Sequence, residues 1–70
     1  MKFNYNKLRG RIREKYGSEA KFCNGMPFNR TTLSQKLNGA TEFNQSEMFT
    51  AMRLLEIPTK QCDEYFFVEA

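Results

Sequence analysis

Pro27 constrains this chain more than any other residue. It has no N–H, and its ring pushes Met26 out of the helical region, so Gly25-Met26-Pro27-Phe28 must be a turn. Gly17 and Gly39, on either side, read as helix stops. Ser18 and Asn29 are of the residue types that open helices as N-caps. The stretch Ser18–Gly39 therefore has room for two short helices only, 19–24 and 30 to about 38, with a turn between them.

The flanking segments read the same way. Residues 5–16 place Leu8 and Ile12 one turn apart, with Tyr5 and Tyr16 extending the stripe and basic residues elsewhere. In 19–24 the spacing turns Ala20 and Cys23 inward and leaves Phe22 at the flank; in the next helix Leu33 and Leu37 face the core. Ala40–Phe43 is a connector. Asn44 with Glu47 three residues later is a capping-box-like start, and Met48, Ala51, Met52 and Leu55 follow at helical spacing in a helix that ends near Glu56, ahead of Pro58. Thr59–Phe66 reads as one more short helix, and Tyr65–Glu69 as a stretch able to pair as an edge. No segment alternates with period two for long enough to demand a strand. The predicted fold class is all-α: residues 1–70 form a single domain, a compact bundle of about five short helices.

Composition excludes more than it identifies. The longest uncharged apolar stretch, Tyr65–Val68, is far short of the ~20 residues that cross a bilayer. No charged start leads into an apolar run, so no signal peptide is read and a cytoplasmic location is expected. There is no His and no Trp, which removes the commonest general base and most zinc sites. Cys23 and Cys62 match no metal spacing and are expected to remain reduced thiols. No enzyme activity, metal, cofactor or small-molecule substrate is expected. The charge, however, is uneven. Residues 1–39 hold nine Lys and Arg against Glu14 and Glu19, a balance of +7, and residues 40–70 carry −4. Either the first half meets a polyanion or its helices simply expose basic faces to water.

A short helix, a tight turn and a capped second helix within Ser18–Gly39 follow the arithmetic of a helix-turn-helix. Cys23 supplies the small inward residue, Phe28 locks the turn, and Leu33 and Leu37 pin the second helix. Several stretches carry a wider likeness: Lys7-Leu8-Arg9-Gly10-Arg11-Ile12 near the start, Thr32-Leu33-Ser34-Gln35-Lys36-Leu37-Asn38-Gly39 at the end of the motif, and Leu54-Leu55-Glu56-Ile57-Pro58 and Glu64-Tyr65-Phe66-Phe67 beyond it. With these the chain resembles the lambda-repressor/Cro-like helix-turn-helix family, in particular its short phage and prophage repressors. Two departures stand out: Cys23 where the family usually has Ala, and Pro27 where it usually has Gly. Because Pro27 is locked near φ ≈ −65°, Gly25 is expected to take over as the left-handed residue of the turn.

With Leu33 and Leu37 inward, Arg30, Thr31, Ser34, Gln35 and Asn38 point outward and can meet base edges in the major groove. Ser18, Lys21, Thr32 and Lys36 flank that face as candidate phosphate contacts. Glu19 stands where the family more often has an uncharged donor. The resemblance implies direct readout on this face and a sequence-specific transcriptional regulator. Its partner would be the double-stranded DNA of an operator, bound as a homodimer in a bacterial host's cytoplasm, at the nucleoid when bound. Phe66 is expected in the core, with Tyr65 or Phe67 outside as a dimer contact. The alternative is a protein-interaction module, antirepressor-like, whose acidic second half binds a basic partner.

Overall fold

A computed structural model describes residues 3–69, and its backbone is built from five short α-helices. In α1 (Asn6–Tyr16) Leu8 and Ile12 are fully buried, and Gly17 ends the helix at φ 82°, its N–H donating to the Arg13 carbonyl at 2.9 Å. The Ser18 hydroxyl oxygen accepts the Lys21 N–H at 3.2 Å and starts α2 (Glu19–Cys23). After the Pro27 turn, Asn29 Oδ1 accepts the Thr32 N–H at 2.9 Å and starts α3 (Arg30–Leu37). Both halves of the capping box form at α4 (Gln45–Leu55): Glu47 N–H to Asn44 Oδ1 at 2.7 Å, and Asn44 N–H to Glu47 Oε1 at 3.0 Å. A single 3-10 turn, Thr59–Gln61, leads into α5 (Cys62–Phe66). The predicted all-α bundle is the observed fold, with the ends of α1 to α4 within a residue or two of those expected and α5 starting three residues late, behind the 3-10 turn.

Phe22, Phe66, Leu8, Ile12, Leu33 and Leu55 form the fully buried centre, so every helix contributes to one core. Aromatic edges run along one side of it. The rings of Tyr5 and Phe43 lie 5.5 Å apart and those of Phe43 and Phe66 5.3 Å apart, both edge to face. The two ends of the described chain meet: Phe3 and Glu69 form an isolated antiparallel bridge, and the Asn4 N–H donates to the Val68 carbonyl at 2.6 Å. The edge pairing expected over Tyr65–Glu69 is confined to this point, and no strand occurs among the described residues.

Four expectations are corrected. Phe22, not Ala20, is the inward residue of α2: Phe22 is buried and Ala20 exposed. Five residues are too few for helical periodicity to rank the faces, and the larger apolar side chain takes the buried one. Phe43 is not part of a mere connector; it is buried and packs between Tyr5 and Phe66. Gly25 does not adopt a positive φ, which among the described residues belongs to Gly17, Gly39 and Glu56. The Pro27 turn needs no left-handed residue at all. Glycine suits position 25 for another reason, since a Cβ there would lie 2.9 Å from Leu54 Cδ1. Lastly, Lys36, expected on the flank of the α3 face, is buried and paired with Glu47.

Candidate nucleic-acid interface

Lys36 lies three residues after Leu33 and one before Leu37, on the edge of the apolar stripe. Its stem enters the core, and its Nζ pairs with Glu47 Oε1 at 2.9 Å and donates to the Glu42 carbonyl at 2.9 Å. The rings of Phe28 and Phe43 lie 5.5 and 5.8 Å from the ammonium. The carboxylate oxygen that holds Lys36 also accepts the Asn44 N–H, so one atom ties α3 to the start of α4. Lys36, expected beside a phosphate, is engaged here in a cross-link between α3 and the start of α4.

The other face of α3 is open. Arg30, Thr31, Ser34, Gln35 and Asn38, all exposed, line one shallow groove with Ala40 at its end. The five side chains expected to share a face therefore do so, and no carboxylate stands among them. Asn38 is held in one orientation. Its Oδ1 accepts from Arg9 Nη2 at 2.9 Å, and because a guanidinium has donors only, the amide group of Asn38 must be the side turned away from Arg9. The Asn38 Nδ2 lies 3.5 Å from Ser34 Oγ, at the outer limit of a hydrogen bond, so Asn38 offers the groove a donor. Arg9 also pairs with Glu19 at 3.0 Å, which neutralises the carboxylate that stood out in the sequence. Sequence reasoning did not single out this Arg9 bridge among α1, α2 and the end of α3. The signal was only that Glu19 required a cationic neighbour.

Around the groove, Lys21 is exposed, Ser18 and Thr32 are half-buried, and the Ser18 oxygen is engaged as the cap of α2. Much of the basic half is already neutralised. Besides the Arg9 and Lys36 pairs, Lys7 meets Glu64 at 3.0 Å, Arg11 meets Glu14 at 2.6 Å and Lys15 meets Glu56 at 2.7 Å. The Arg11 Nε additionally donates to the Leu55 carbonyl at 3.0 Å. Of the first-half cations, Arg13, Lys21 and Arg30 have no ion pair among the described residues.

Both cysteines are free thiols. Burial pushes each thiol up from its ordinary value, against a smaller downward pull of Arg30 on Cys23 and reinforced by Asp63 at Cys62. Cys23 stays protonated and donates to the Phe28 carbonyl at 3.1 Å, which closes the Pro27 turn from inside. Among the described residues no cluster of metal-ligating side chains occurs, and no helix is long and apolar enough to cross a membrane. Phe66 is in the core. Tyr65 is half-buried beneath the Lys7 ammonium, 4.9 Å from its ring centroid, and Phe67 and Val68 are exposed.

A small helical domain of this kind, with one helix face left polar and open, falls in a defined protein family. The chain belongs to the family described as "Protein of unknown function (DUF739)", whose model matches residues 1–69. Among solved structures it is similar to the solution structure of the modulator of repression (MOR) of the temperate bacteriophage TP901-1 from Lactococcus lactis. The two share 33% sequence identity with a TM-score of 0.82, over 96% of this chain and 90% of that one. No curated protein matches the sequence.

Proposed function

We propose that this chain is a phage-type regulator of repression, and that the open face of α3 is its recognition surface, set into the major groove of operator DNA. Thr31, Ser34, Gln35 and Asn38 read base edges, and Ser18, Lys21 and Thr32 approach the backbone from the flanks; Arg30, expected among the base readers, lines a second hollow as well as this groove and is placed at its rim. The observation that carries the reading is the convergence of these polar side chains on one groove free of carboxylates. The likeness to a phage modulator of repression supports the regulatory role. Thr31 brings a methyl suited to thymine, and Gln35 offers the donor–acceptor pair that adenine matches. Asn38, held by Arg9, presents a donor suited to an acceptor on guanine or thymine. Two half-sites one helical turn apart would engage a homodimer.

A second reading has its own support. Five basic side chains are spent on internal ion pairs, which leaves few cations for a phosphate backbone. In that reading the chain modulates repression by binding a repressor protein, as an antirepressor-like interaction module.

Selection from random duplexes tests the first reading, followed by titration of the parent and Gln35→Ala against the selected site and a scrambled duplex at one salt concentration. Loss of a base-reading contact should cost about 1–3 kcal/mol on the selected site and little on the scrambled one. Failure to enrich any duplex, with saturable binding to a phage repressor that persists at high salt, would replace DNA by a protein partner.

A further inference from the structure

Arg13 and Arg30 open into one hollow, although they come from opposite ends of the α1–α3 region. The hollow is lined by Arg9, Arg13, Gly17, Ser18, Glu19 and Arg30. Its charges do not cancel. Arg9 and Glu19 neutralise each other at 3.0 Å, whereas Arg13 and Arg30 are exposed and have no ion pair among the described residues. Two guanidinium groups that line one hollow without a counterion leave it net positive, and their planar forks suit the oxygens of a phosphate. Arg30 also lines the α3 groove, so an anion held here would sit at that groove's rim.

We propose that this hollow is a phosphate-binding notch, in which Arg13 and Arg30 hold one phosphodiester of the strand bordering the α3 groove. This rests on the reading of α3 as a DNA-recognition surface and adds a residue, Arg13, that the helix-turn-helix segment does not contain. The Arg9–Glu19 pair forms the back wall. With its carboxylate already satisfied, Glu19 does not expel the anion, and Arg9 remains committed to Asn38.

Two measurements test the notch, one of them independent of DNA. In the first, the parent protein is titrated with inorganic phosphate and, at matched ionic strength, with chloride, while backbone and arginine Nε–H resonances are followed by NMR. Phosphate-specific shifts confined to Arg13, Arg30 and Gly17 are expected. Shifts spread over all basic side chains, or equal in chloride, would overturn the notch. In the second, the salt dependence of duplex binding is compared for the parent, Arg13→Gln/Arg30→Gln and Arg53→Gln/Lys60→Gln. The last pair removes equal charge from residues that do not line the hollow.

Losing the one phosphate contact should flatten the slope of log affinity against log salt by about 0.9 for each bound protomer, or roughly a 3.5-fold smaller decline between 50 and 200 mM. The Arg53/Lys60 pair should leave the slope unchanged; equal flattening by both pairs would reduce the effect to net charge and refute the assignment. If the parent binds no duplex, the DNA reading falls, and the phosphate titration alone decides whether the notch exists.

Discussion

Replacing Lys36 should damage the fold and spare the recognition face. Its ammonium has three engagements: Glu47 at 2.9 Å, the Glu42 carbonyl at 2.9 Å and the faces of two phenylalanines. The side chains of Lys36 and Glu47 are only 9% and 14% exposed, so solvent cannot take over their pairing. Breaking a buried pair by removing one partner costs about 3–5 kcal/mol. A chain of this size has a total stability of roughly 4–10 kcal/mol at the usual stability per residue. Lys36→Ala should therefore lower Tm by roughly 12–40 °C at 4–8 °C per kcal/mol, and it approaches unfolding at the weaker end of that range. Glu47 keeps one role in this variant, since it still caps Asn44, which favours the smaller loss.

The double variant Lys36→Met/Glu47→Gln is the decisive comparison. Met fills the aliphatic channel, Gln keeps the cap, and no charge is left buried, so stability should return to within about 1–2 kcal/mol of the parent. Urea unfolding followed by far-ultraviolet circular dichroism gives the four corners of the cycle. A Lys36→Ala variant within about 1 kcal/mol of the parent would refute the structural role, because surface substitutions fall in that range. A folded double variant whose DNA salt slope fell by about one unit would restore Lys36 to the phosphate backbone.

Three further outcomes are expected. Pro27→Gly should fold with the same turn and lose about 0.4–1 kcal/mol, because no residue of that turn needs a positive φ and the loss lies in a freer unfolded chain; thermal melts check this, and a gain in Tm would mean the turn is strained by proline. The hydrogen bond and charge of Lys15 hold the exposed Glu56 carboxyl below its ordinary value, so its stabilising contribution is present above the ordinary carboxylate range and is lost as pH falls through the lowered folded value. Lys15→Met should remove that part of the acid dependence of Tm, and an unchanged profile would refute it. Arg9→Met should shift the side-chain amide resonances of Asn38 and relax base preference at one position of the selected site, leaving the preference contributed by Gln35 intact; an unmoved Asn38 amide would show that Arg9 does not orient it.

What could be read in advance was what is local along the chain. Asn29, Asn44 with Glu47, Gly17 and Gly39 act on backbone groups within four residues of themselves, and each does in the structure what its spacing implies. The exposed face of α3 was legible for the same reason, since Leu33 and Leu37 set the helix phase. Lys36 was not, because its partner lies eleven residues on, across a turn whose path no local rule supplies. Phe43 was hidden by its polar neighbours in a segment without periodicity, and only the aromatic rings from both ends of the chain make it a core residue. Gly25 invited a conformational explanation, whereas its constraint is the close approach of Leu54 from another helix.

The meeting of Phe3 and Asn4 with Val68 and Glu69 makes the core depend on segments far apart in the sequence. Helices α1 to α3 carry most of the positive charge, but Leu8 and Ile12 share their core with Leu55 and Phe66. Taken alone, the groove-bearing half has an unfinished core, and Lys7, Lys15 and Lys36 lack their acidic partners. The core is therefore complete only when α5 is in place, and a fragment ending before Phe66 is expected to lack a stable groove-bearing half.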